Sequence, residues 1–153
     1  MVDRIQPIKV AGWAAITALA LLARFATVAL SAEAPIGIVK GQTEKGISYM
    51  FGGIGSEERE LMKKEGKDYN LRLAFAQKTG QYVADVGLVI EDAKRTQILS
   101  ITVSGPWFFI KLPEGTYNVK ATYAGKTREI KNLKLEKDRQ VSRTLVWEPE
   151  KGG

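Results

Sequence analysis

Leu112-Pro113-Glu114-Gly115-Thr116-Tyr117-Asn118-Val119-Lys120-Ala121-Thr122-Tyr123-Ala124-Gly125-Lys126 is the stretch that decides the fold class. Pro113 presets φ and Gly115 accepts a positive one, so the chain turns here. Tyr117, Val119, Ala121 and Tyr123 then recur at every second position, with polar residues between them. That period of two is a strand with one apolar face, and Gly125-Lys126 ends it with a second turn.

The same rhythm extends outward in both directions. Upstream lie Tyr69, Leu71, Leu73 and Phe75, with Asn70 and Arg72 on the other face. Val86, Leu88 and Ile90 follow, then Leu99, Ile101 and Val103, then Phe108, Ile110 and Leu112. Downstream come Ile130, Leu133 and Leu135, with a bulge near Asn132, and finally Val141, Leu145 and Trp147. Seven short strands separated by turn signals predict an all-β, seven-stranded antiparallel β-sandwich over 69–148. The segments between them hold no helix long enough for a parallel crossover, which predicts antiparallel pairing throughout. A leader over 32–68 precedes the sandwich. It has a short strand near Ile47 to Phe51 and a helix of about three turns that Ser56 caps and Leu61 or Met62 docks. Residues 149–153 are expected to be a disordered tail.

The chain has 153 residues, a formal charge of +6 and 44% hydrophobic content, which describes one globular domain. Cysteine and histidine are both absent. That removes disulfides, Cys/His zinc sites, cysteine nucleophiles and every triad built on imidazole. Serine elbows and Ser-x-x-Lys dyads are also missing, so the expectation is a non-enzymatic protein with neither cofactor nor metal. The N-terminus reads as an address. Arg4 and Lys9 open it, Val10 to Ala23 is uncharged, and Ala29-Leu30-Ser31 offers small residues for cleavage before Ala32. Residues 1–31 are therefore expected to be a signal peptide directing export to the periplasm, with no stable membrane insertion after cleavage. The alternative is an uncleaved anchor over Val10 to Ala32, in which Arg24 would cost about 2.5–3.5 kcal/mol inside the bilayer.

The Leu112–Lys126 stretch resembles the L-P-x-G-x-Y-x-V-x-A-x-x-x-G pattern of carboxypeptidase regulatory-like domains, which are similar to transthyretin-like and PEGA-type (Ig/prealbumin-like) sandwiches. Ala84-Asp85-Val86 and Phe108 to Leu112 agree with that pattern in order, whereas Ser104-Gly105-Pro106-Trp107 departs from the usual turn. Tyr49-Met50-Phe51-Gly52-Gly53-Ile54-Gly55 followed by acids resembles the leader of small uncharacterised proteobacterial periplasmic proteins carrying such a body. The resemblance implies an accessory or interaction module with no peptidase site.

Three features are candidates for binding. Tyr49 and the glycines Gly52, Gly53 and Gly55 lead into a helix N-terminus, where backbone N–H groups cradle anions, although Glu57 and Glu58 would repel a phosphate. Trp107 and Phe109 flank Phe108, and alternation buries only one of the two phenylalanines. That leaves Trp107 or Phe109 as an exposed platform for a partner or a sugar. From Lys111 to Arg143 the chain carries nine basic residues against four acidic ones. Lys131 and Lys134 lie within that run, which either attracts anionic envelope lipids or guards an edge strand against pairing. The expected function is an exported module that binds a protein or a cell-envelope component through surface contacts. A carbohydrate-binding module is the alternative. Export makes nucleic acid an unexpected partner.

Overall fold

The computed structural model describes residues 37–151. The expected signal peptide, the opening of the leader and the last two residues lie outside the described residues. Among the described residues, no helix is long and apolar enough to cross a membrane. In chain order the elements are β1 (Val39–Gln42), β2 (Ser48–Gly52), α1 (Ser56–Glu65), a 3-10 turn (Gly66–Asp68), β3 (Leu71–Gln77), β4 (Val86–Asp92), β5 (Gln97–Val103), β6 (Trp107–Ile110), β7 (Gly115–Tyr123), β8 (Lys126–Leu135) and β9 (Val141–Trp147).

The strands form two sheets, ordered β1-β2-β6-β3-β9 and β5-β4-β7-β8. Their inward faces share one core. Leu71, Leu73, Phe75, Phe108, Ile110, Leu145 and Trp147 from the first sheet meet Val86, Leu88, Ile90, Val119, Ala121 and Leu133 from the second. The molecule is thus mostly β, in a sandwich-like arrangement, as the alternating pattern predicts.

Two expectations need correction. The described residues hold nine strands rather than seven, because β1 and β2 of the leader join the first sheet through β2 and β6, with Phe51 opposite Phe108. The pairing is also not antiparallel throughout. β3 and β9 run parallel, with Leu71 opposite Val141 and Phe75 opposite Leu145. No crossover helix is needed, since the chain between them travels through the second sheet and returns. Asn70 secures this junction. Its side chain accepts from Leu112 N at 2.9 Å and donates to Leu112 O at 2.6 Å, while its own carbonyl accepts from Val141 N at 2.8 Å.

The bulge expected near Asn132 is present. Tyr117 pairs with Leu133 and Val119 with Ile130, so Lys131 and Asn132 together oppose Asn118. The extra residue resets the alternation, allowing Leu133 to face the core although it lies three positions from Ile130. Asn132 adopts φ 52°, and its N–H donates to Oδ1 of the buried Asn118 at 3.1 Å.

Candidate binding site

The outer face of the five-stranded sheet carries the site, because α1 packs there instead of leaving it to water. Met62 of α1, Met50 of β2 and Phe109 of β6 form a second small core, flanked by Ile38, Tyr69 and Trp107. This corrects the expectation for the Trp107-Phe108-Phe109 run. Phe108 is buried between the sheets and Phe109 is buried beneath the helix, so both phenylalanines are anchors. Alternation sends the two rings to opposite faces but does not say whether the second face is wet. Ser56 also does not cap α1. Gly55 occupies the cap position without a side-chain hydrogen bond.

The glycine corner holds an anion, and the chain supplies it. The Glu58 carboxylate accepts from the backbone N–H of Gly53 at 3.0 Å, Ile54 at 3.1 Å and Gly37 at 3.0 Å. Arg59, next along, donates to the carbonyls of Gly53 at 2.8 Å and Ile54 at 3.1 Å. The Glu58 carboxylate that would repel a phosphate therefore occupies its place. Gly53 sits at φ +86°, and a Cβ there would press on Trp107 Cβ at 3.2 Å. A Cβ on Gly105 would run into the Gly52 backbone, so the corner leaves room for no side chain at the turn before β6.

Beside α1 this face opens into a groove of about 290 Å³, lined by Lys63, Arg72, Tyr82, Trp107, Phe109 and Thr144 among others. Its walls pair cations with rings. Arg72 lies 4.9 Å over Phe109, Lys63 lies 5.9 Å over Trp107, and Arg59 next to the groove lies 5.4 Å over Tyr82. The rings support one another, with Trp107 stacked on Phe109 at 5.9 Å and Tyr82 edge-on to Trp107 at 6.4 Å. Such stacking fixes a guanidinium while leaving its edge donors available. Arg72 Nη2 donates to Gly66 O at 2.8 Å. Arg72 Nε and Trp107 Nε1 are buried without any hydrogen-bond partner among the described residues. Burial also pulls the Arg72 guanidinium below its ordinary pKa, as expected for a cation drawn out of water.

The sequence-predicted residues divide among three places. Trp107 and Phe109 line the groove, and Gly52, Gly53 and Gly55 form the corner adjoining it. Tyr49 faces the opposite way, stacked on Phe108 at 5.9 Å in the inter-sheet core. Lys131 and Lys134 belong to β8, at the edge of the other sheet, and pair with Glu129 at 3.6 Å and Glu136 at 3.3 Å. Arg72, Lys63 and Tyr82 are among the lining residues that the sequence pattern does not single out. Arg72 stands on the non-core face of the first body strand in that pattern, and only the helix above it turns that position into a half-buried one. Compared with known proteins, the chain matches no family model and no curated relative.

Proposed function

We propose that this protein is an exported, non-enzymatic β-sandwich module of the carboxypeptidase regulatory-like type. It binds a protein or cell-envelope component in the periplasm through the outer face of its five-stranded sheet. The observation that carries this reading is the aromatic and cationic groove beside α1. Three rings and three cations line this groove, with two donors lacking partners and no carboxylate in the lining. Interaction surfaces are enriched in this pairing of arginine with tryptophan and tyrosine. Export rests on the basic, apolar, small-residue order of residues 1–31.

A photo-crosslinking residue placed at Tyr82 in intact cells tests the reading. The expected result is a discrete adduct that disappears with Arg72→Gln and is not formed from Thr127, on the outer face of the other sheet. Equal adducts from both positions, or none from Tyr82, would remove the proposed face. Edman sequencing of the periplasmic protein should begin at Ala32, and a start at Met1 or Val2 would replace export and cleavage by the anchored form. Glycan-array binding lost with Trp107→Ala would favour the carbohydrate-binding alternative.

A further inference from the structure

We infer that the groove beside α1 is a binding site for an oxyanion, a carboxylate or phosphate, carried on an apolar or aromatic body, with Arg72 as its principal ligand. This rests on reading the same face as the binding surface and adds the chemistry of what it binds.

None of the ion pairs among the described residues includes Arg72, Arg143 or Arg59. Arg72 is half-buried and offsets part of its lost hydration with the Gly66 carbonyl and the Phe109 ring, but no carboxylate pairs with it, so an external anion there meets a cation without a counter-ion. Lys63 and Arg143 line the same groove and add to the positive field, while Asp and Glu are absent from the lining. Hydrogen bonding points the same way. The unpartnered Nε of Arg72 and Nε1 of Trp107 are both donors, which calls for a ligand that accepts. Two side chains of the groove wall are themselves exposed: Lys63, 54% exposed and paired with Glu60 as well as lying over Trp107, and Tyr82, 45% exposed. Phe109, Trp107 and Ala74 give the lining an apolar stretch beside the hydroxyls of Ser142 and Thr144, and this stretch fits the body that bears the oxyanion. A volume of about 290 Å³ suits a single small group, at the lower end of ligand pockets.

NMR of the ¹⁵N-labelled protein, following the Trp107 indole N–H identified by its loss in Trp107→Phe, tests this. The probes are phenylacetate, phenyl phosphate, inorganic phosphate and the neutral phenylacetamide. A saturable shift with phenylacetate or phenyl phosphate supports the site if it is at least tenfold weaker with phenylacetamide and in Arg72→Gln. The tighter of the two anions assigns the oxyanion, and tighter binding than inorganic phosphate supports the apolar body. Should Arg72→Gln fail to fold, the surface pair Lys63→Gln/Arg143→Gln carries the same test, with severalfold weaker binding expected. No saturable shift with either anion, or an equal response to phenylacetamide, would overturn the inference. Silent anions alongside a Tyr82 adduct in cells remove the oxyanion and leave the binding face standing. Bound anions without an adduct remove the macromolecular partner instead.

Discussion

Replacing Glu58 by alanine isolates the glycine corner, and the structure sets the size of the effect. Glu58 accepts from three backbone N–H groups, those of Gly53, Ile54 and Gly37. A hydrogen bond to a charged group contributes about 1.5–3 kcal/mol, but an exposed donor recovers most of that from water. Ile54 and Gly37 are exposed, whereas Gly53 is buried, so one bond counts nearly in full. The carboxylate in the first turn of α1 adds about 0.3–1 kcal/mol through the helix dipole. Glu58→Ala should therefore lower stability by about 2–4 kcal/mol, read as a reduced urea midpoint in tryptophan fluorescence. Amide exchange at Gly53 and Ile54 should accelerate with it. Intrinsic helix propensity predicts the opposite sign, because alanine is the better helix former. A loss below about 0.5 kcal/mol, or unchanged exchange at Gly53, would refute the assignment of Glu58 as the corner's anion. Glu58→Gln should recover little, since half of its amide presents donors to donors.

Three further outcomes follow from the geometry. Gly105→Ala places a Cβ within 2.6 Å of Gly52 Cα and nearer still to its carbonyl, so backbone must move and about 1–3 kcal/mol or more should be lost in thermal unfolding. Asn118→Ala leaves the Asn132 N–H at the bulge without its acceptor. It should cost about 1–3 kcal/mol, with faster exchange confined to β7 and β8. Burial alone would raise the Glu91 carboxyl, but hydrogen bonds and charge from Lys120 and Arg95 outweigh it and hold it below the ordinary glutamate value of 4.5. A depressed folded pKa means that the stabilisation is present above the unfolded value and is lost as pH falls through the folded one. A carboxyl ¹³C titration should find Glu91 below 4.5, and Lys120→Gln combined with Arg95→Gln should move it upward.

Much of the inter-sheet core was legible because strand alternation is a local property. Leu71-Leu73-Phe75, Val86-Leu88-Ile90 and Val119-Ala121 each declare a buried face without reference to any neighbour, and all of them are buried. Even the bulge at Asn132 is readable, since Ile130 and Leu133 break the period. Other positions are ambiguous at that level. Arg72 and Phe109 both stand on the second face of their strands, and period two says only that this face differs from the first.

What the sequence determined by itself is therefore the set of body strands, the face each turns to the core and the turns between them, because these follow from φ preferences and side-chain direction within a few residues. Tertiary structure alone decided that β9 lies parallel to β3, that the leader adds β1 and joins the first sheet through β2 and β6, and that α1 covers Phe109. It also decided that Glu58 fills the glycine corner and that Arg72 and Trp107 keep unpartnered donors in a groove. These depend on which distant surfaces meet. Solvent exposure and hydrogen-bond partners belong to the pair of surfaces and not to either stretch of chain.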